Sequence, residues 1–283
     1  RKSAGESTRL YCRKKHNQTQ TPDPVSEAEA SNALGHVQND RAAGVDGIYP
    51  EMITHLGTKA KAWLASLMTD IIDRAAIPRQ WRQAKVVAIC KPRKDSNLPG
   101  SYRPISLLSV LYKLFERVLV ERLTPTLDPH IPADQAGFRC NRDTTEQELA
   151  LTTFIEDGFQ RNEKTGTVLI DLSAAYDTVW TKGLMLKLAR IVNCHRTLRR
   201  LLESITGPRW YRVLLVGDSS KLRTLKNGVP QDSVLAPMLF NISLSDMPKV
   251  SSMRLRRRLV PRGESQVLWP ERNGAVARHD VTR

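Results

Sequence analysis

A short apolar run that ends in a carboxylate constrains the fold of this chain most strongly. Residues 167–170 (TVLI) favour a buried strand, and Asp171 follows them directly. A carboxylate at the end of a buried strand is unfavourable unless a positive group meets it. Asp171 is therefore either the N-cap of a helix that begins near Ser173 or a ligand of Mg²⁺, which binds one or two carboxylates together with phosphate oxygens. This segment by itself leaves both interpretations open.

The charge of the chain indicates a polyanionic partner. The 283 residues include 44 Lys and Arg against 29 Asp and Glu, a formal net charge of +15. Such a surplus favours nucleic acid first and an anionic membrane surface second. Residues 249–283 hold nine basic and three acidic residues, a net +6 in this tail alone. The excess of positive charge in residues 1–248 is correspondingly smaller.

The cysteines and the hydropathy pattern indicate an intracellular protein, in the nucleus or the cytoplasm. The four cysteines are far apart in sequence and have no zinc-ligand spacing, so we expect free thiols in a reducing compartment. The sequence contains no apolar run long enough for a membrane span and no visible signal peptide. The first residue is Arg1 rather than Met, so we expect the chain to be a piece of a longer protein.

Apolar periodicity predicts an α+β fold in which helices dominate. We expect a flexible polar lead-in at residues 1–34, a folded region at 35–248 and a basic, disordered tail at 249–283. Four tryptophans are expected as core anchors: Trp63, Trp81, Trp180 and Trp210. The predicted helices lie near 26–38, 50–72, 107–119, 144–160 and 182–204. The predicted strands are 85–91, 167–170 and a hairpin of 210–216 with 221–225.

Five segments, in one order along the chain, are similar to a single family. They are Ala42–Gly47 (AAGVDG), Tyr102–Leu108 (YRPISLL), Gln135–Arg139 (QAGFR), Ile170–Asp177 (IDLSAAYD) and Gly228–Pro237 (GVPQDSVLAP). Together they closely resemble the reverse transcriptase domain of non-LTR retrotransposons, most of all the jockey type, over roughly residues 35–248. The YRPISLL segment is less similar to the maturase-type enzymes of mobile introns. The resemblance implies the fingers and a partial palm of a right-hand polymerase, rich in helix with a small antiparallel palm sheet.

The resemblance also implies an activity. Members of this family are RNA-directed DNA polymerases, which act on an RNA template, a DNA primer or target and deoxynucleoside triphosphates (dNTPs). Nucleotide addition is a phosphoryl transfer in which two Mg²⁺ ions neutralise charge and position the reacting oxygens. The family's first palm carboxylate binds both ions, and Asp171 occupies that position.

Four further residues match functional positions of the family. Tyr176 is similar to the aromatic that packs under the incoming sugar and excludes a 2′-hydroxyl, or it is a core aromatic. Arg103 resembles the arginine that grips the triphosphate, or it is a solvated surface arginine; guanidinium groups pair well with phosphate oxygens. Gln231 is similar to a glutamine that contacts the incoming nucleotide or the template base. Arg139 either lies beside the RNA template or forms an ion pair that holds the fold.

Two departures from the family pattern predict that this chain is inactive as it stands. Asp232 occupies a position where the family has glycine, and its charge would repel a triphosphate. The family's next motif is aromatic-Ala-Asp-Asp, which supplies the other metal carboxylate, and no Asp-Asp pair occurs in this sequence. The likeness ends near Pro248, which indicates a truncated domain. The alternative function is a non-catalytic remnant that binds nucleic acid.

Overall fold

The computed structural model describes residues 22–163, 165, 172, 174–191, 196–215, 218–247, 266–270 and 276–280. Residues 1–246 form one compact unit and residues 247–283 a second. The predicted 167–170 strand and Asp171 lie outside the described residues. The division into lead-in, folded region and tail stays a prediction.

The described part of the first unit contains eight α-helices. They are α1 (Glu27–Gly35), α2 (Pro50–Thr54), α3 (Thr58–Arg74), α4 (Val110–Leu127), α5 (Thr144–Gln160), α6 (Thr181–Ile191), α7 (Arg196–Thr206) and α8 (Ala236–Leu244). Among the described ranges, none of these helices is long and apolar enough to cross a membrane.

The described part of the first unit also contains three short 3-10 helices, Arg79–Arg82, Pro99–Ser101 and Asp128–His130, and one mixed sheet. Its strands are β1 (Gln83–Cys90), β2 (Tyr102–Leu107), β3 (Arg209–Leu215), β4 (Asp218–Ser219) and β5 (Arg223–Leu225). The path runs β2-β1-β3-β4, and β5 pairs with β3. The sheet was expected to be antiparallel, but β1 and β3 pair in parallel, with Val86 opposite Val213. The helix-rich α+β prediction is confirmed, and it is consistent with a fingers and palm architecture.

The hydrophobic core lies mainly between helices. Helix α1 packs against α3 and α4, α3 against α7, and α6 against α7 and α8. The apolar face predicted around residues 107–119 is buried, and Phe115 and Val118 have no exposed surface. Helix α1 begins with a capping box, in which Ser26 and Glu29 bind each other's backbone N–H groups. Ala30 and Leu34 of α1 are core residues, so the helix predicted near 26–38 packs into the folded unit.

Local backbone chemistry explains where the predicted elements differ from the observed ones. The helix predicted at 50–72 is two helices, because Gly57 takes the extended N-cap conformation and restarts the chain as α3. The helix predicted from 107 begins only at Val110, because Tyr102–Leu107 pairs with β1 as a strand and Ser109 caps the helix. Of the region predicted at 182–204, the structure describes α6 and α7 but not the residues between them.

The prediction that four tryptophans are core anchors was wrong for two of them. Trp81 is buried and contacts Tyr112 and Phe115. Trp210 is half-buried, with the guanidinium groups of Arg79 and Arg82 over its ring. Trp63 and Trp180, in contrast, are 64% and 63% exposed. Apolar spacing along a helix does not tell whether a second element covers that face.

The second unit contains two short strands, β6 (Gln266–Pro270) and β7 (Val276–Asp280). They pair antiparallel, with Leu268 opposite Arg278. Beyond these ten residues, the disordered tail predicted for 249–283 stays a prediction. The run Val267-Leu268-Trp269 consists of residues that favour strands, and the surrounding charges obscure this signal in the sequence.

Candidate active site

Two segments from distant parts of the sequence meet at the candidate site. The first is the turn at residues 174–179, and the second is the loop at residues 227–231. The backbone N–H of Val229 donates to the carbonyl of Tyr176 at 2.9 Å, and that of Gly228 donates to the carbonyl of Val179 at 3.0 Å. These two bonds bring the motif that carries Tyr176 next to the motif that carries Gln231.

Gly228 makes this contact possible. Its φ is +79°, a backbone conformation that suits glycine. A Cβ atom at this position would lie 2.7 Å from the carbonyl oxygen of Tyr176 and 2.8 Å from the Cα of Asp177. Any side chain would therefore push the two segments apart.

Tyr176 packs within a group of three aromatic rings. Its ring meets Phe240 of α8 edge to face at 5.1 Å between centroids, and Phe138 lies 6.2 Å away. The side chain is half-buried, and this burial raises the pKa of the Tyr176 hydroxyl. These contacts hold the ring in place, as the core-aromatic alternative requires. The sugar-contacting role stays a prediction.

Gln231 and Asp177 join the two segments through their side chains. The Gln231 Nε2 group donates to Oδ2 of Asp177 at 3.5 Å, a long and weak hydrogen bond. The next residue, Asp232, is exposed and has φ +64°. The backbone thus adopts, at the aspartate, a conformation that glycine tolerates best.

Glu116 anchors the far side of the same loop, a role that was not predicted from the sequence. This α4 carboxylate has no exposed surface; it accepts from the Ser233 hydroxyl at 2.6 Å and from the Val234 N–H at 2.9 Å. Ser233 Oγ in turn accepts from the N–H of Ala236 at 3.1 Å, at the start of α8. Burial raises the pKa of Glu116 to about 7. The available signal was a lone glutamate within the apolar face of this helix.

Arg103 does not lie on the face of the sheet that borders the cavity lined by Gln231. It pairs with Ile89 across β2 and β1 and is exposed. Its strand neighbours Pro104 and Ser106 line a cavity that also contains Gln231. Because side chains alternate along a strand, the Arg103 side chain points to the opposite face of the sheet from this cavity. Lys91 of the neighbouring basic loop donates to the carbonyl of Gly100 at 3.0 Å.

Arg139 makes the contacts of a fold-holding residue. Its guanidinium pairs with Asp128 at 2.9 Å and donates to the carbonyl of Pro132 at 3.1 Å. The Arg139 side chain is 15% exposed. These contacts are those of the ion-pair alternative, and the template role stays a prediction. Phe138 beside it is 66% exposed.

The described residues do not by themselves provide a metal site. Within the parts of the chain that the structure describes, His, Cys, Asp and Glu side chains form no group of three that could hold an ion. Asp171, the predicted ligand, is outside those parts. The described thiols, Cys90 and Cys140, are free and exposed. The described part of the chain therefore does not contain the complete set of metal ligands that a two-ion centre needs.

Comparison with known proteins identifies the family. A family model described as reverse transcriptase (RNA-dependent DNA polymerase) matches residues 90–259. A probable RNA-directed DNA polymerase from transposon BS of Drosophila melanogaster is 33% identical over 227 residues, 80% of this chain and 25% of that protein. The RNA-directed DNA polymerase from the mobile element jockey of the same species is 31% identical over 226 residues, 79% of this chain and 24% of that protein. Its counterpart from Drosophila funebris is 30% identical over 233 residues, 82% of this chain and 25% of that protein.

These matches confirm the resemblance drawn from the five motifs. The chain spans about a quarter of the length of the curated relatives it matches. Reverse transcriptases as a class use divalent metal ions, nucleic-acid templates and nucleotide substrates. From its motifs, its helix-rich α+β fold and the family match over residues 90–259, this chain belongs to the reverse transcriptase family.

Proposed function

We propose that the chain is part of an RNA-directed DNA polymerase from a jockey-like non-LTR retrotransposon, an enzyme that copies RNA into DNA. The observation that carries this proposal is the contact between the turn at 174–179 and the loop at 227–231. It sets the Tyr176 ring and the Gln231 amide on adjoining segments. That is the arrangement expected of a pocket that holds one nucleotide by its sugar and its base.

In this proposal each side chain has a separate task. Tyr176 forms the wall below the sugar, and its packing against Phe240 keeps the ring from yielding to a 2′-hydroxyl. Gln231 donates to the nucleotide or to the template base. Arg103, exposed on β2, binds phosphate oxygens. Arg139 fixes the chain beside the RNA template through its pairing with Asp128.

We further propose Mg²⁺ as the metal ion and Asp171 as its ligand in this chain. Bound Mg²⁺ supplies charge neutralisation and orientation of phosphate oxygens. The sequence contains no Asp-Asp pair that could serve as the second carboxylate site. The 283-residue chain is therefore expected to bind substrates without joining them.

Primer extension on an RNA template tests this proposal. The 283-residue chain should incorporate no dNTP in the presence of Mg²⁺. A chimera in which the matching jockey segment replaces residues from 249 onward, combined with Asp232→Gly, should incorporate dNTP. Asp171→Ala should abolish that activity, whereas Asp218→Ala, on the exposed strand β4, should retain it. Activity of the chimera that survives Asp171→Ala would contradict the assigned role.

A second candidate function is nucleic-acid binding without catalysis. The observation that favours it is Asp232, which follows Gln231 on the loop proposed to contact the nucleotide. Like charges in that position oppose triphosphate binding. The net charge of +15 would still attract an RNA backbone.

A further inference from the structure

A cavity lies behind the loop that carries Gln231. Its volume is about 260 Å³. One wall is the face of β1 and β2 that presents Ala84, Val86 and Pro104, and another is the loop at 229–231. Arg103 projects from the opposite face of β2 and does not line this cavity, whereas Gln231, the proposed nucleotide contact, does.

The cavity walls suit a flat apolar ligand. The rings of Trp81, Trp210 and Tyr211 line it together with aliphatic side chains. A cavity of roughly 150 Å³ is known to hold benzene when its walls are apolar. At about 260 Å³, this one has room for a bicyclic ring.

Two guanidinium groups in the cavity wall require a hydrogen-bond acceptor in the ligand. Arg209 lines the cavity and is only 8% exposed. Its Nη2 donates to the carbonyls of Asn227 and Gly228 at 3.2 Å and 2.9 Å. Its buried Nη1, and the buried Nε of Arg82 in the same wall, have no hydrogen-bond partner among the described residues. Unpartnered buried donors are rare because each loses its hydration without compensation.

We propose that this cavity binds a small planar aromatic carboxylate. The ring system packs among Trp81, Trp210 and the aliphatic wall, and the carboxylate accepts hydrogen bonds from Arg209 and Arg82. Guanidinium groups match carboxylate geometry well. Asp177 also lines the cavity, but it is exposed, so solvent screens its repulsion.

Titration of the 283-residue chain with indole-2-carboxylate, followed by protein-observed NMR, tests the site. The expected dissociation constant is about 0.1–1 mM, typical of a ligand with so few atoms. Indole is the matched probe without the carboxylate, and it should bind at least about tenfold more weakly because it lacks the charged hydrogen bonds. Equal affinity for the two probes, or no shifts at several times that concentration, would overturn the proposal.

Paired variants locate the binding. Arg209→Met should weaken indole-2-carboxylate at least about tenfold, whereas Arg212→Met, an exposed arginine on the same strand, should leave it unchanged. Because a change at buried Arg209 could disturb folding, Ala84→Phe provides an independent test by filling the cavity. Val87→Phe, on the opposite face of β1, is its control. Unchanged binding in Ala84→Phe, or loss in both phenylalanine variants alike, would refute the assignment.

Discussion

The backbone at Asp232 is held in a conformation that its side chain opposes. With φ at +64°, the residue lies in the left-handed region. Aspartate enters that region more easily than most residues, but still at a cost that glycine avoids. The neighbouring anchor of Glu116 on Ser233 and Val234 fixes the loop and so maintains the strain.

Asp232→Gly should therefore stabilise the protein. We expect the free energy of unfolding to rise by about 0.5–1 kcal/mol. Glycine relieves the backbone strain, and this gain exceeds the cost of its greater conformational entropy in the unfolded chain. Urea unfolding measures this change. Asp232→Asn removes the charge but keeps a β-carbon, so it should give less than half of the gain. Equal stabilisation by both variants would indicate charge repulsion instead of backbone strain.

Glu116 should make stability fall as the pH rises through the weakly acidic range. Burial raises the pKa of Glu116 from 4.5 to about 7, so the folded protein holds this proton more tightly than the unfolded chain does. The resulting stabilisation is complete below pH 4.5 and is lost as the pH approaches 7. It amounts to about 3 kcal/mol. The facing groups are Tyr112, Lys113 and Ser233, with Arg82 and Arg209 nearby.

The test compares Glu116→Gln with the unchanged chain by chemical unfolding across this pH range. Glutamine has nearly the same shape and does not titrate, so the difference in unfolding free energy between the two proteins should shrink or change sign as the pH rises. Glu148→Gln, exposed on α5, should follow the unchanged chain at every pH. A constant difference between Glu116→Gln and the unchanged chain would rule out the protonation effect.

At the scale of elements, α5 differs from the helices of the core. Its sequence has the apolar periodicity that predicted residues 144–160 as a helix, and Asp143 caps it. Yet Leu149, Phe154 and Phe159 are 65%, 50% and 70% exposed. The apolar residues of α4, by contrast, are buried on several sides. Two helices with similar apolar periodicity, α5 and α4, thus differ strongly in how far their apolar side chains are buried.

Paired phenylalanine variants measure that difference. Phe159→Ala on α5 should change the unfolding free energy by less than about 0.5 kcal/mol, because it removes little buried surface. Phe115→Ala on α4 should lower it by about 3–5 kcal/mol through loss of burial and creation of a cavity. Urea unfolding compares the two. A large loss in Phe159→Ala would show that another surface covers α5 in solution.

Net charge is the property of the whole molecule that bears most directly on its partner. At +15, the chain should bind RNA through phosphate contacts whose strength falls as counterions compete. Neutralising about three phosphates of a single strand predicts at least ~tenfold weaker binding between about 50 mM and about 200 mM salt. Fluorescence anisotropy of a labelled RNA measures it.

Replacing the tail arginines tests where that affinity arises. Changing Arg256, Arg257 and Arg258 to Gln removes three positive charges. This variant should bind RNA more weakly at low salt and show a shallower salt dependence. Changing the same three residues to Lys keeps the charge, so that variant is the matched control and should retain the salt dependence of the unchanged chain. RNA affinity that stays constant with salt would contradict an electrostatic mode of binding.

Local patterns were sufficient for the class of fold and for several individual elements. The 144–160 helix, the strand near 85–91 and the buried face around Phe115 follow from periodicity and capping, which depend on residues close in sequence. The family resemblance likewise came from short motifs, and it singled out position 232 as one suited to glycine. The positive φ of Asp232 agrees with that expectation.

Tertiary packing decided the rest, because burial depends on which surfaces meet across long stretches of chain. The parallel pairing of β1 with β3 joins residues more than a hundred positions apart, and no local pattern encodes it. The exposure of Trp63 and the complete burial of Glu116 are set by the presence or absence of an opposing element. The sequence by itself determined the family and the motifs; the folded chain determined that Tyr176 and Gln231 lie on adjoining segments and that Arg209 lines a cavity.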